Sequence, residues 1–193
     1  MKIAGIIAIA VGGILLIGLI VLARYGLFSP VEVSEQSVGP YTLVFTKHVG
    51  DYKNVAPVMD ELYYDLRDNF GIETTKGFGL YYDNPREVSS ENLRSIVGCI
   101  VEGKTPDKLT EISEKYGVVE YRSSKSIVAE FPMRGSMSVM MGVFKVYPKL
   151  NKYMEEQGYT MTPVMELYDQ PNKKIAYITS PEISEETYEA FLD

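Results

Sequence analysis

The sequence has one cysteine, one histidine and no tryptophan among its 193 residues. Cys99, within Ile96-Val97-Gly98-Cys99-Ile100-Val101, has no second cysteine with which to form an internal disulfide. Together with His48 it leaves too few soft ligands for a structural zinc site, so no metal and no cofactor is expected. A Ser/His/Asp or Cys/His triad would have to use His48, which closes a predicted strand and has no nucleophile-elbow sequence beside it; no catalytic residue is assigned. Gly77-x-Gly79 is followed by neither a third glycine nor Gly-Lys-Ser/Thr, which excludes a phosphate loop. The chain has no Asn-x-Ser/Thr acceptor, and with the unpaired cysteine this suits a cytosolic domain. Acidic residues outnumber basic ones, 26 to 19, giving a net charge of −7. No basic stripe is present to neutralise phosphates, which argues against direct nucleic-acid binding.

What is present begins with Ile3 to Ala23, 21 residues without a charge. As a helix this run would be about 30 Å long, the thickness of a bilayer's hydrocarbon core. It is apolar all round, longer than the apolar core of a secretory signal, and no clear small-x-small cleavage site precedes Arg24. Residues 1–24 are therefore expected to be an uncleaved anchor, with 3–23 in the lipid bilayer; a cleaved signal peptide and a buried core helix are the competing readings. Lys2 and Arg24 place one positive charge at each end, so charge leaves the orientation open. Gly26, Pro30 and Gly39 mark residues 25–40 as a short juxtamembrane linker.

The remainder repeats itself. Lys76-Gly77-Phe78-Gly79-Leu80-Tyr81-Tyr82-Asp83-Asn84-Pro85 is matched by Pro163-Val164-Met165-Glu166-Leu167-Tyr168-Asp169-Gln170-Pro171, and each follows an amphipathic helix ended by a glycine, Gly71 or Gly158. The first unit, about 41–101, reads as a strand at Tyr41–Val49, a helix burying Val55, Val58, Met59, Leu62, Tyr63, Leu66 and Phe70, and strands at Lys76–Tyr82 and Leu93–Val101. A turn over 103–107, a short helix at Leu109–Tyr116 and an edge strand at Val118–Arg122 lead to the second unit, about 126–179. That unit reads as a strand at Ser126–Phe131, a helix at Met137–Gln157 burying Val139, Met140, Val143, Phe144, Tyr147, Leu150 and Met154, and strands at Pro163–Tyr168 and Lys174–Thr179. Pro148 predicts a kink or break near Val146. Residues 41–180 thus form one α+β domain of two pseudo-symmetric βαββ units in one antiparallel sheet with helices on one face, followed by a short acidic segment, 181–193, with a helix over Glu182–Leu192.

Superposing the two copies pairs Phe78 with Met165 and Leu80 with Leu167 on one strand face, which the helices are expected to cover. The other face carries Gly77, Gly79 and Tyr81 beside Val164, Glu166 and Tyr168. There the duplication breaks, because the mate of Glu166 is Gly79. A lone carboxylate facing a glycine gap, with Tyr81 and Tyr168 beside it, forms a candidate pocket floor for an apolar or cationic ligand; the plain alternative is a solvated glutamate on an open sheet.

At these residues the chain resembles the GyrI-like domains. His48-Val49-Gly50-Asp51-Tyr52 matches their H-x-G-x-Y signature, Gly79-Leu80-Tyr81-Tyr82-Asp83-Asn84-Pro85 resembles G-x-Y-Y-D-x-P, and Met165-Glu166-Leu167-Tyr168 resembles the E-x-Y strand whose glutamate lies at the base of the ligand groove. The resemblance covers about Tyr41 to Thr179 and is nearest the membrane-anchored, ER-phagy-receptor branch. It implies an ER membrane protein with a cytosolic domain, acting as a binding or adaptor module with the autophagy machinery as a partner. In that branch the autophagy contact lies in a long disordered tail, whereas this sequence ends at Asp193, with Tyr188-Glu189-Ala190-Phe191 approximating an aromatic-x-x-aliphatic motif. Two other readings stand beside it: a sensor of a small apolar or cationic ligand through Gly79, Tyr81, Glu166 and Tyr168, and a hydrolase using Glu166.

Overall fold

A computed structural model describes residues 2–103 and 106–192. Helix α1 spans Lys2–Arg24 and is long and apolar enough to cross a membrane. Eight strands follow: β1 (Val33–Val38), β2 (Tyr41–Val49), β3 (Lys76–Tyr81), β4 (Arg94–Val101), β5 (Gly117–Tyr121), β6 (Ser124–Pro132), β7 (Val164–Asp169) and β8 (Lys174–Thr179). Helix α2 (Val55–Asp68) lies between β2 and β3, α3 (Pro106–Ser113) before β5, α4 (Ser136–Gln157) between β6 and β7, and α5 (Glu185–Glu189) after β8. The turn expected over 103–107 includes two positions, 104 and 105, outside the described residues.

All eight strands join one antiparallel sheet in the order β1-β6-β8-β7-β3-β4-β2-β5. The two βαββ units meet at the β3/β7 pair in its middle. Residues 25–40, expected to be a linker, instead contribute β1, which pairs along β6 from Val33 opposite Ala129 to Val38 opposite Ser124. Correspondingly, β5 pairs with β2. Each unit's leading strand is therefore lent to the edge of the other unit, an exchange that a reading of consecutive elements does not reveal.

The strand alternation is as the sequence implies, but the assignment of layers is reversed. Phe78, Leu80, Met165 and Leu167 are buried together with Leu43, Ile96, Ile100 and Ile178 on the face away from α2 and α4. The twisted sheet curls over this face, so that residues of both flanks, Val38 and Tyr121 included, join one cluster. Helices α2 and α4 pack on the opposite face, against Val44 and Cys99 in one half and against Ile175 and Tyr177 in the other.

The C-terminal segment closes the curled side. Ser184 caps α5 by accepting from the Thr187 amide, and Ile183, Tyr188 and Phe191 insert into the sheet's inner cluster. The segment is thus part of the core, not an acidic appendage, and both aromatic residues of Tyr188-Glu189-Ala190-Phe191 are buried.

Helix α4 differs from expectation twice. Of the kink or break expected near Val146, no break occurs: the helix continues across Pro148, with Val146, Leu150 and Met154 fully buried on the sheet on either side of the proline. Its buried stripe is Ser138, Gly142, Val146, Leu150 and Met154, a four-residue ridge. Met140, Val143 and Phe144, expected in the core, face outward.

Candidate functional site

The four residues singled out from the sequence lie together where the two units meet. In register, Gly79 of β3 is opposite Glu166 of β7, and Glu166 is in turn opposite Tyr177 of β8. One row away, Gly77 faces Tyr168; a row in the other direction, Tyr81 lies between Ser95 of β4 and Val164. Side chains directly opposite in an antiparallel pair share a face. This row therefore projects toward the helices, where α4 supplies Tyr147.

Glu166 is only 4% exposed. The Tyr168 hydroxyl donates to its Oε2 at 2.9 Å, and the Tyr147 hydroxyl donates to Oε1 at 2.9 Å. Tyr81 Oη lies 3.5 Å from Tyr168 Oη, extending the chain of phenols. Tyr52 packs edge-on against Tyr81 with ring centroids 4.8 Å apart, and Tyr147 packs edge-on against Tyr177 at 5.7 Å. Tyr52 is anchored by donating to the Arg94 carbonyl at 2.9 Å.

Burial pushes the Glu166 carboxyl up to about 7, against the opposing pull of the hydrogen bonds from Tyr168 and Tyr147. Among the described residues no cation forms an ion pair with it. Burial first, and then the nearby Glu166 charge, raise the pKa of Tyr147, Tyr168 and Tyr81, so these phenols remain protonated donors. Among the described residues, the hydroxyl of Tyr177 and Oγ of Ser95 are buried without a hydrogen-bond partner, as is Nε2 of His48 at the end of β2.

The gap expected at glycine is filled from within. A Cβ on Gly79 would lie 2.7 Å from Tyr81 Oη, so the Tyr81 side chain folds across its own strand into the space that glycine leaves. The Met59 sulfur of α2 lies similarly over Gly77, 2.9 Å from where a Cβ would be. Surface recesses of about 340 and 230 Å³ lie instead beside α2 and the β2/β5 edge, and neither is lined by Glu166. The carboxylate is thus covered by the phenols of Tyr147 and Tyr168, with Tyr81 beside them.

Sequence reasoning missed Tyr147, Tyr177 and Tyr52 as members of this cluster. Tyr177 was accessible in principle, since alternation along Lys174–Thr179 puts it on the Glu166 face once the β7/β8 register is known. Tyr147 falls on the flank of α4, where the pattern read it as core filling. The arrangement is equipped to take up or release a proton near neutral pH at a buried carboxyl held by phenol hydroxyls.

A curled antiparallel sheet of two βαββ units with a buried glutamate at their junction defines a class, and the sequence comparison agrees. Residues 32–183 match the GyrI-like small molecule binding domain, and the chain belongs to the GyrI-like family. Within curated proteins it is 28% identical over 174 residues to Testis-expressed protein 264 of Homo sapiens, covering 83% of this chain and 53% of that one. It is 29% identical over 155 residues to the Mus musculus homologue, covering 75% and 48%. The chain spans about half the length of these relatives. Among solved structures, that of SAV2435 bound to tetraphenylphosphonium shares the fold with a TM-score of 0.53 at 19% identity, covering 77% of this chain and 93% of that one.

Proposed function

We propose that this chain is a membrane-tethered binding module at the ER surface, its domain facing the cytosol, which takes a small apolar, cationic ligand at Glu166, Tyr168, Tyr81 and Gly79. One observation carries the reading: Glu166 is buried among tyrosines with two hydrogen bonds and, among the described residues, no positive partner. A carboxylate so placed is costly as an anion, and a guest cation relieves that cost while the rings contribute cation–π attraction. Tyr81 lies over Gly79 as the movable cover of the site. That SAV2435 binds tetraphenylphosphonium on the same fold supports the ligand class. The tether is supported by α1, and the cytosolic side by the absence of glycosylation acceptors and of paired cysteines.

The adaptor role in autophagy of the ER rests on the resemblance to the membrane-anchored receptor branch. Burial of Tyr188 and Phe191 means that Tyr188-Glu189-Ala190-Phe191 does not serve as its contact in this fold. A hydrolase would use Glu166 as base, and would reveal itself as turnover of a bound guest.

Tetraphenylphosphonium and a panel of other lipophilic cations, titrated against wild type and Glu166→Gln, test the ligand reading. The substitution is expected to weaken binding by roughly 1–3 kcal/mol, the loss of one charge-assisted contact. Equal affinities for the two proteins would remove the carboxylate from the site. For the topology, protease added to intact microsomes is expected to digest the domain, and protection lost only with detergent would place it in the lumen.

A further inference from the structure

The outward half of α4 is apolar only where it adjoins the end of α1. Met137, Met140, Val143 and Phe144 lie within its first three turns and are all exposed, Met140 at 52% and Phe144 at 69%. Beyond them the same outward side turns polar, with Asn151, Lys152, Glu155 and Glu156. Phe28, just past α1, is also 69% exposed. Outward apolar residues confined to half of a helix are costly in water unless something covers them.

That half of α4 is joined to the chain leaving α1. Arg134 Nη1 donates to the Arg24 carbonyl at 2.7 Å, and Lys145 Nζ donates to the carbonyls of Gly26, Leu27 and Ser29 at 3.1, 2.5 and 2.7 Å. Lys149 Nζ donates to the Val31 carbonyl at 2.9 Å. Gly26, at φ +102°, lets the backbone pass against the Phe131 ring, where a Cβ would lie 2.6 Å from its edge. The end of α1 and the start of α4 are therefore fixed to each other. Arg24, Arg134 and Lys149 are exposed and form no ion pair among the described residues, leaving a cationic collar around the junction, while the Lys145 ammonium is taken up by its three carbonyls.

We infer that the first half of α4, with Phe28, lies in the headgroup–acyl boundary of the same bilayer that α1 crosses, its exposed collar of Arg24, Arg134 and Lys149 facing anionic headgroups. The inference rests on reading α1 as a membrane span. Continuity with the span selects the bilayer as the occupant, since a helix tied to the last residue of a transmembrane segment cannot stand far from the interface. Apolar side chains shallowly buried beside basic ones are the pattern of interfacial helices. The domain is thereby held at a fixed tilt, resting on the membrane by α4.

The full chain in a Cys99→Ala background, carrying a single cysteine at Leu15, Met140, Phe144 or Asn151, is labelled with an environment-sensitive dye. It is then reconstituted in phosphatidylcholine vesicles with a minority of phosphatidylserine. Nitroxides on the lipid chain, deep or shallow, report contact by quenching. The deep nitroxide is expected to quench the Leu15 label, and the shallow one to quench labels at Met140 and Phe144 severalfold more than the label at Asn151. Quenching at Leu15 with Met140 and Phe144 no different from Asn151 overturns the inference and leaves the span intact. No quenching at Leu15 overturns the span, and the inference falls with it. A dye shift at Phe144 that follows the protein-to-lipid ratio without lipid quenching assigns the face to a second copy of the chain, which also overturns it.

Discussion

The two βαββ units are alike on one side of the sheet and unlike on the other. On the curled side, Phe78 corresponds to Met165 and Leu80 to Leu167, and all four are buried in a common cluster. On the helix side, the first unit places Gly77 and Gly79 under Met59 and Tyr81, whereas the second places Val164 and Glu166 at the corresponding positions, with Glu166 bonded to Tyr147 and Tyr168. The register explains why the difference falls there. Phe78 sits opposite Leu167 and Leu80 opposite Met165, so the local twofold axis passes through the Gly79–Glu166 pair. A residue on that axis faces its own symmetry mate, and two buried carboxylates directly opposite one another would repel or be forced to share a proton. The duplicated sheet has room for one such acid, and a glycine is what its mate can be.

Restoring symmetry should therefore be the most damaging change. Gly79→Glu sets a second buried carboxylate against Glu166 and collides with Tyr81; a cost of roughly 3–5 kcal/mol, comparable to an uncompensated buried charge, is expected in urea denaturation at neutral pH. A stability within about 0.5 kcal/mol of wild type would mean that the axis is not a packed position. On the side where the units agree, Phe78→Ala and Leu167→Ala should each cost roughly 2–5 kcal/mol by emptying the same cluster. Unequal losses, one near zero, would show that only one unit carries the core.

The smallest effect isolates the asymmetric carboxylate through pH. Its ordinary value of 4.5 is raised to about 7 in the folded protein, so the native state holds a proton that the unfolded chain gives up in that window. Stability is then fully present below pH 4.5, falls as pH rises toward 7, and changes no further on this account above it. The loss should be roughly 2–4 kcal/mol, and Glu166→Gln should flatten the curve across that range. A wild-type stability profile that superimposes on that of Glu166→Gln between pH 4 and 8 would show that the carboxylate is solvated, as would be measured by melts at stepped pH.

These contrasts mark how far the sequence could be read. The repeat, seven of the eight strands, and the convergence of Gly79, Tyr81, Glu166 and Tyr168 follow from periodicity and alternation, which are local. Alternation states which residues share a face, but not which layer covers it; hence helices were expected over Phe78 and Leu80, although the sheet's own curl and Tyr188 close that side. Strand β1 escaped because Val33-Ser34-Glu35-Gln36-Ser37-Val38 has a polar middle and its partner is in the other unit. On α4, the apolar Met140 and Phe144 drew the predicted buried stripe around toward the outside, since hydrophobicity alone does not distinguish a core from a lipid-facing surface. Tyr147, expected in the core, does pack against the cluster of Ile175 and Tyr177, but its bond to Glu166 joins an element of one layer to an element of another and is not legible from α4 alone.

The exchanged edge strands bear on how the chain is made. As the polypeptide leaves the ribosome, β1 emerges directly behind α1, yet β6 is not synthesised until the whole first unit has been. For that interval β1 is an unpaired edge, the circumstance in which an apolar strand would recruit a stray partner. Its interior is Ser34, Glu35, Gln36 and Ser37, a strand too polar to be a good template for mispairing until Glu35 meets Lys125 and Tyr159 in the finished sheet.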